Sequence, residues 1–422
     1  MKPFTKLTFL AVLILAVSQL VIAQETDSQN KPKVEFSGFF RFDYWLETYK
    51  NVEALDGLLA LYPLAPMYDS DGNDINATPS LNGLAMGTRL RTNITMPKLF
   101  NAKSSIFVEA DFTGMSSTVH FRFRHGYAKL AWDNGSELSV GLTWHPMFVT
   151  EVFPYVASLN TGAPFQSFNR SPQITFKQQL GSNVKVILSA LTQSDYKSYG
   201  PEGATTKYLR NGIIPNLHGQ VQLTFNPITA GAAIDFKSLM PRTFTISSIN
   251  PNNSYTTSER INSLSGMVYL KLQTGLLTAK LKGMYGQNMA DHLMLGGYAV
   301  ATYNPVSGHE TYVPFNHIFG QVNITYGKKY MPGIFAGYAK NLGANGDVYN
   351  NAAILYGRGL NVDYLYRVSP SFTYRNDRLA VVGEVEYTFA STGTNNMFDR
   401  GKVINSESSA NARFLIMIQY DF

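Results

Sequence analysis

The stretch from Val119 to Trp132 limits what this chain can fold into more than any other. His120, Arg122 and Arg124 alternate there with Phe121 and Phe123. An extended backbone puts the charges on one face and the rings on the other, whereas a helix would scatter both around its circumference. Arginines on a sheet face need water beside them. A membrane-spanning strand meets both demands, with rings toward lipid and arginines toward a wet lumen.

The same two-residue period recurs along the chain. From Lys33, Val34, Phe36, Phe40, Phe42 and Tyr44 alternate with Glu35, Ser37, Arg41, Asp43 and Glu47, and Phe39 and Trp45 interrupt the polar face. Residues 49–85 then lose the period and gather Pro, Asp, Gly and Asn, as a long loop does. Further strands are expected at about 86–96, 102–112, 119–132, 137–144, 172–179, 184–193, 216–225, 228–236, 261–273, 276–286, 315–326, 333–341, 362–375, 378–389 and 410–422. That makes about sixteen, an even number, each near the 9–11 residues a tilted spanning strand needs. Short connections such as Thr274-Gly275 and Asn376-Asp377 alternate with long ones, which predicts an all-β transmembrane antiparallel barrel with short periplasmic turns and long external loops. Outward aromatics at the strand ends, among them Tyr44, Trp132, Trp144, Tyr326, Tyr374, Tyr420 and Phe422, mark two girdles at the lipid–water boundaries.

Composition and address agree with this. Charged residues are 15% and aromatic residues 13%, a balance that differs from the charge-rich surface of a soluble domain. Cysteine is absent, which excludes a disulfide framework and a thiolate metal site. A formal charge of +6 is too small an excess to argue for nucleic acid. Lys2 and Lys6, the apolar run Leu7–Val21 and the small-residue ending Val21-Ile22-Ala23 read as a signal peptide over 1–23, followed by a short flexible segment over 24–32. The barrel is then expected over 33–422. Beyond the leader no run of about 18 apolar residues occurs, so no spanning helix is expected, and the outer membrane of a Gram-negative cell is the expected address.

The inner faces carry Arg41, Arg89, Arg91, Glu109, Asp111, His120, Arg122, Arg124, Arg367 and Arg413. Counting from the periplasmic strand ends sets Arg41, Arg91, Arg122, Arg124 and Arg413 near one height, as a basic wall for anionic solutes or as partners of Asp43, Glu109 and Asp111. Loop 145–171, with Met147, Phe148, Val149, Phe153, Tyr155 and Phe165, is too apolar to wave in solvent and is expected to fold into the lumen as a constriction. Glu151 is its one carboxylate. The seven histidines show no metal-ligand spacing, His125 falls on the ring face, and no Gly-x-Ser-x-Gly nucleophile motif appears. No enzyme activity, metal or cofactor is expected.

Three segments carry a family resemblance. Arg122-Phe123-Arg124-His125-Gly126-Tyr127-Ala128, then Val140-Gly141-Leu142-Thr143-Trp144, then Arg170-Ser171-Pro172-Gln173-Ile174 resemble the DcaP-like, dicarboxylate-type outer-membrane porins, with Leu142 and His145 departing from the pattern. The resemblance implies a sixteen-stranded, trimeric diffusion channel that favours small anions, with Arg122, Arg124 and loop 145–171 at its constriction. The terminal Phe422 resembles the signal read by the barrel assembly machinery. The leading expectation is a water-filled porin for small hydrophilic solutes. A substrate-specific or gated channel and a barrel adhesin are the alternatives.

Overall fold

A strand in lipid has no water to satisfy its backbone, so a sheet survives there only when closed. The computed structural model describes residues 31–113, 120–350 and 354–422; the expected leader, Val119 and most of segment 24–32 fall outside them. Among the described residues sixteen antiparallel strands form the barrel. They are β1 Lys33–Glu47, β2 Arg89–Leu99, β3 Ala102–Asp111, β4 Arg122–Ala131, β5 Ser136–Trp144, β6 Arg170–Leu180, β7 Val184–Leu191 and β8 Asn216–Phe225. The second half comprises β9 Ile228–Leu239, β10 Ile261–Thr274, β11 Leu277–Gln287, β12 Glu310–Tyr326, β13 Tyr330–Ala344, β14 Val362–Asn376, β15 Leu379–Asn396 and β16 Lys402–Asp421. β1 pairs with β16 from Phe39 opposite Asp421 to Glu47 opposite Arg413, and with β2 from Lys33 opposite Thr95 to Phe39 opposite Arg89. No edge is left open.

The period-two pattern sorts side chains as an outer-membrane wall requires. Phe36, Phe40, Val140, Ile174, Val268 and Ile416 are exposed on the outside, and Asp43, Glu109, Lys282, Arg367 and Arg413 are buried inside. Tight turns close one end. Phe100 and Asn101 both sit at positive φ, 51° and 59°, as a two-residue hairpin demands.

At the other end the strands run further than the hydrophobic pattern alone predicts. β15 and β16 continue as a hairpin to Asn396 opposite Lys402, so the expected long loop there is five residues, 397–401. The segment after β1 is not a plain loop. It forms a small hairpin, Asn51–Ala54 with Leu59–Pro63, and Ser80–Leu84 adds to the outer half of β1. Leu58, Leu59, Leu61 and Tyr62 of that hairpin are buried with Met147–Val149, Phe165 and Phe168 of segment 145–169 and with Met289, Met294 and Leu295. The apolar core of this barrel therefore lies in its lumen, where three inserted segments meet.

Candidate functional site

Four arginines on β2 and β4 share two carboxylates on β3. Arg91 Nε donates to Glu109 at 2.6 Å, and Arg124 donates to Glu109 and Asp111 at 2.8 Å each. Arg122 grips Asp111 with two bonds of 3.1 and 3.0 Å, and Arg89 lies 3.8 Å from Glu109. Phe39, which interrupts the polar face of β1, lies 5.2 Å beneath both Arg89 and Arg91, where a ring quadrupole favours a cation. Arg41 pairs with Asp43 at 2.6 Å.

The expected single height of the arginines does not hold. Arg41 stands opposite Gln419 whereas Arg413 stands opposite Glu47, six positions further along β1, about 20 Å at 3.3 Å per residue. Barrel shear offsets neighbouring strands, so counting from strand ends cannot give height. Arg413 belongs with Arg367 in a second group. Arg413 donates to Gly57 O at 2.7 Å, reaches Glu47 at 3.4 Å and covers Trp45 at 4.5 Å. Arg367 donates to Leu61 O (2.7 Å), Ala163 O (2.8 Å), Thr388 Oγ1 (2.8 Å) and Ala60 O (3.1 Å), with Glu386 at 3.3 Å.

These groups face segment 145–169, which crosses the inside of the barrel. Ala157 and Ser158 donate their amides to Glu384 at 2.7 and 3.2 Å, and Arg41 donates to Ala157 O. Lys280 donates to Phe153 O at 2.8 Å and Lys282 to Met147 O. Asn323 accepts from the Tyr155 amide at 2.9 Å. A Cβ on Gly337 would stand 2.4 Å from the Phe165 ring. Much of the wall charge is thus spent on carbonyls and amides of the segment that fills the lumen.

Beside this packing lies a cavity of about 560 Å³ lined by Arg89, Arg91, Lys177, Lys185, Glu109, Glu151, Tyr127, Trp144 and Phe148. Arg91 and Lys177 keep 33% and 38% of their side chains exposed there. Lys177 pairs with Glu137 at 2.9 Å; Lys185 has no ion pair among the described residues. Glu151, half-buried, accepts from Thr150 at 3.2 Å. His120 lies before β4 begins and is exposed.

Two side chains turn the opposite way from the alternation. A register shift at Glu109/Ala110 lets both Arg124 and His125 face inward, and His125 bonds Thr143 at 3.1 Å. Trp144, expected in the lipid girdle, stacks on Phe148 at 4.0 Å and lies under the Arg170 guanidinium at 5.0 Å. At the last residue of β5, contact with the inserted segment outweighs alternation. Tyr44, Tyr326, Tyr420 and Phe422 are exposed on the outside, Tyr374 is half-exposed, and the half-exposed Trp132 donates its indole N–H to Phe100 O at 3.0 Å.

Residues 288–295 form the third insert. Burial pushes Asp291 up, but Lys237 at 2.5 Å outweighs it and holds the carboxyl below its ordinary range. Around it the barrel assembles a cluster that linear spacing conceals. His218 and Asp235 are cross-strand partners, and His145 reaches both from the start of the inserted segment.

No protein-family model matches the chain, and no curated protein does. Solved structures do. The outer membrane channel DcaP of Acinetobacter baumannii superposes with a TM-score of 0.65 at 17% identity, over 95% of this chain and 100% of that one. Outer-membrane expressed OmpT of Vibrio cholerae gives 0.53 at 12%, over 94% and 99%. An anion-selective porin from Comamonas acidovorans gives 0.53 at 10%, over 93% and 100%. The chain has the barrel fold of outer-membrane channels and porins.

Proposed function

We propose that this chain is an outer-membrane channel for passive diffusion of small hydrophilic solutes, with a preference for anions. The cavity wall carries the reading: Arg89, Arg91, Lys177 and Lys185 face it against Glu109 and Glu151, leaving net positive charge where a solute passes. Low-dielectric walls focus that field and raise the local anion concentration. One of the similar structures is an anion-selective porin, and another is described in a trimer form, which supports the preference and a homotrimer here. Export through a cleaved leader and assembly through Phe422 belong to the same reading. The test is the reversal potential of the protein in a planar bilayer under a salt gradient. Anion preference is expected; cation selectivity refutes it.

One observation favours a second reading, a gated or substrate-specific channel. Leu58–Tyr62, Met147–Phe168 and Met289–Leu295 bury apolar side chains inside the lumen, leaving less open cross-section than an unobstructed sixteen-stranded barrel provides. Liposome swelling separates the two. A diffusion channel passes sugars at rates that fall smoothly with size, whereas a specific channel saturates with one solute and excludes the rest.

A further inference from the structure

We propose that His145, His218 and Asp235 form a binding site for a divalent transition-metal ion of the zinc class. Their ligating atoms all lie within 4.8 Å of one another. Asp235 Oδ2 is 3.2 Å from His218 Nδ1 and 3.6 Å from His145 Nε2. Tetrahedral zinc with bonds of about 2.0–2.1 Å spaces its ligand atoms about 3.3–3.4 Å apart, so both carboxylate–imidazole spacings already lie within a few tenths of an ångström of what the ion needs. Two imidazoles and a carboxylate are borderline donors that suit zinc and its neighbours over calcium or magnesium.

The surroundings fit an ion. His218 Nε2 is 3.2 Å from Gln220 Oε1, and Asp235 Oδ1 accepts from Asn216 Nδ2 at 2.8 Å; such outer partners orient metal ligands. Asn216 Oδ1, 3.1 Å from His145 Nε2, offers a fourth ligand atom, an oxygen. Lys237, on the same strand as Asp235, is bound by Asp291 and leaves the site's negative charge uncancelled. The cavity touches both His145 and Gln220, which gives an ion a route in. Coordination through Nε2 moves the His145 ring proton to Nδ1. Protonated, Nδ1 no longer accepts from the Met147 amide 3.2 Å away, and the metal bond at Nε2 offsets the loss of that long contact.

His145 begins the inserted segment, whereas His218 and Asp235 stand on β8 and β9. The ion would staple the base of that segment to the wall.

The test uses the untagged full chain, folded in detergent, stripped with EDTA and titrated with Zn2+ by calorimetry, with Co2+ as a spectroscopic probe. One ion per chain is expected, with a dissociation constant on the order of a micromolar or tighter and a tetrahedral Co2+ spectrum. Asp235→Asn and His218→Gln should each weaken binding at least tenfold, with heat-modifiable gel migration confirming that both barrels fold. Absence of stoichiometric uptake by the parent chain overturns the proposal, because the hydrogen bonds alone then explain the cluster. Unchanged affinity in both folded variants also overturns it, placing the ion elsewhere.

Discussion

Arg367→Ala is the perturbation that most directly tests whether wall charge holds the lumen inserts in place. The side chain is 1% exposed and contacts two of the three inserts, through Ala60 O and Leu61 O of one and Ala163 O of another. Truncation takes the Arg367 donor from Leu61 O and Ala163 O, while Ala60 O and Glu386 keep the Asn160 amide at 3.1 and 2.9 Å. Removing one side of a buried charge pair costs about 3–5 kcal/mol. A loss of about 3 kcal/mol shifts the docking equilibrium of the inserts about a hundredfold. The ladder bonds of β14 to β13 and β15 are backbone bonds, so the barrel itself should survive. In single-channel recordings the variant should show a larger mean conductance and rapid transitions absent from the parent. Arg367→Lys, which keeps charge but loses the planar fork, should fall between. A folded Arg367→Ala barrel with parental conductance and noise refutes the argument and leaves apolar packing as what docks the inserts.

Three other outcomes are expected. Lys177→Glu with Lys185→Glu should move the reversal potential toward cations, more at 0.1 M than at 1 M salt because the screening length falls from about 10 Å to about 3 Å; no shift at low salt would remove the cavity from the selectivity argument. Gly337→Val should push Phe165 off its wall contact, at about 1–3 kcal/mol of overpacking, and expose segment 145–169 to protease added from the loop side, while an uncut variant would mean the ring simply slides. With Trp45 and Trp132 replaced by Phe, the remaining Trp144 should resist quenching by brominated lipids, whereas a Trp132-only variant should be quenched; strong lipid quenching of Trp144 would put it back in the girdle.

The barrel was legible because its physics is local: lipid on one side and water on the other impose a period of two on every strand, and residues such as Val34–Tyr44 display it. The interruptions were informative in retrospect. Phe39 and Trp45 break the polar face because each lies under an arginine. The inserted hairpin at 51–63 was hidden, since its partners Arg367 and Arg413 are contributed by distant strands. The extra residue at Arg124, which turns His125 inward, leaves no mark on composition, and only the pairing with β3 shows it. The His145–His218–Asp235 grouping was equally invisible, because closure of a cross-strand register, not sequence spacing, unites it.

The closing seam has a consequence for biogenesis. Gly38 and Phe422 exchange both backbone bonds at 3.1 Å, and the ladder beyond them joins Phe39 to Asp421. The last contact needed to complete the cylinder is thus nearly the longest-range contact the polypeptide can make. Every strand synthesised before it must wait with a reactive sheet edge. The time spent waiting grows with chain length and contact order, so the barrel depends on being kept apart from its own copies until β16 has paired with β1. Deleting even the last few should yield an open, self-associating sheet in place of a slightly shorter barrel.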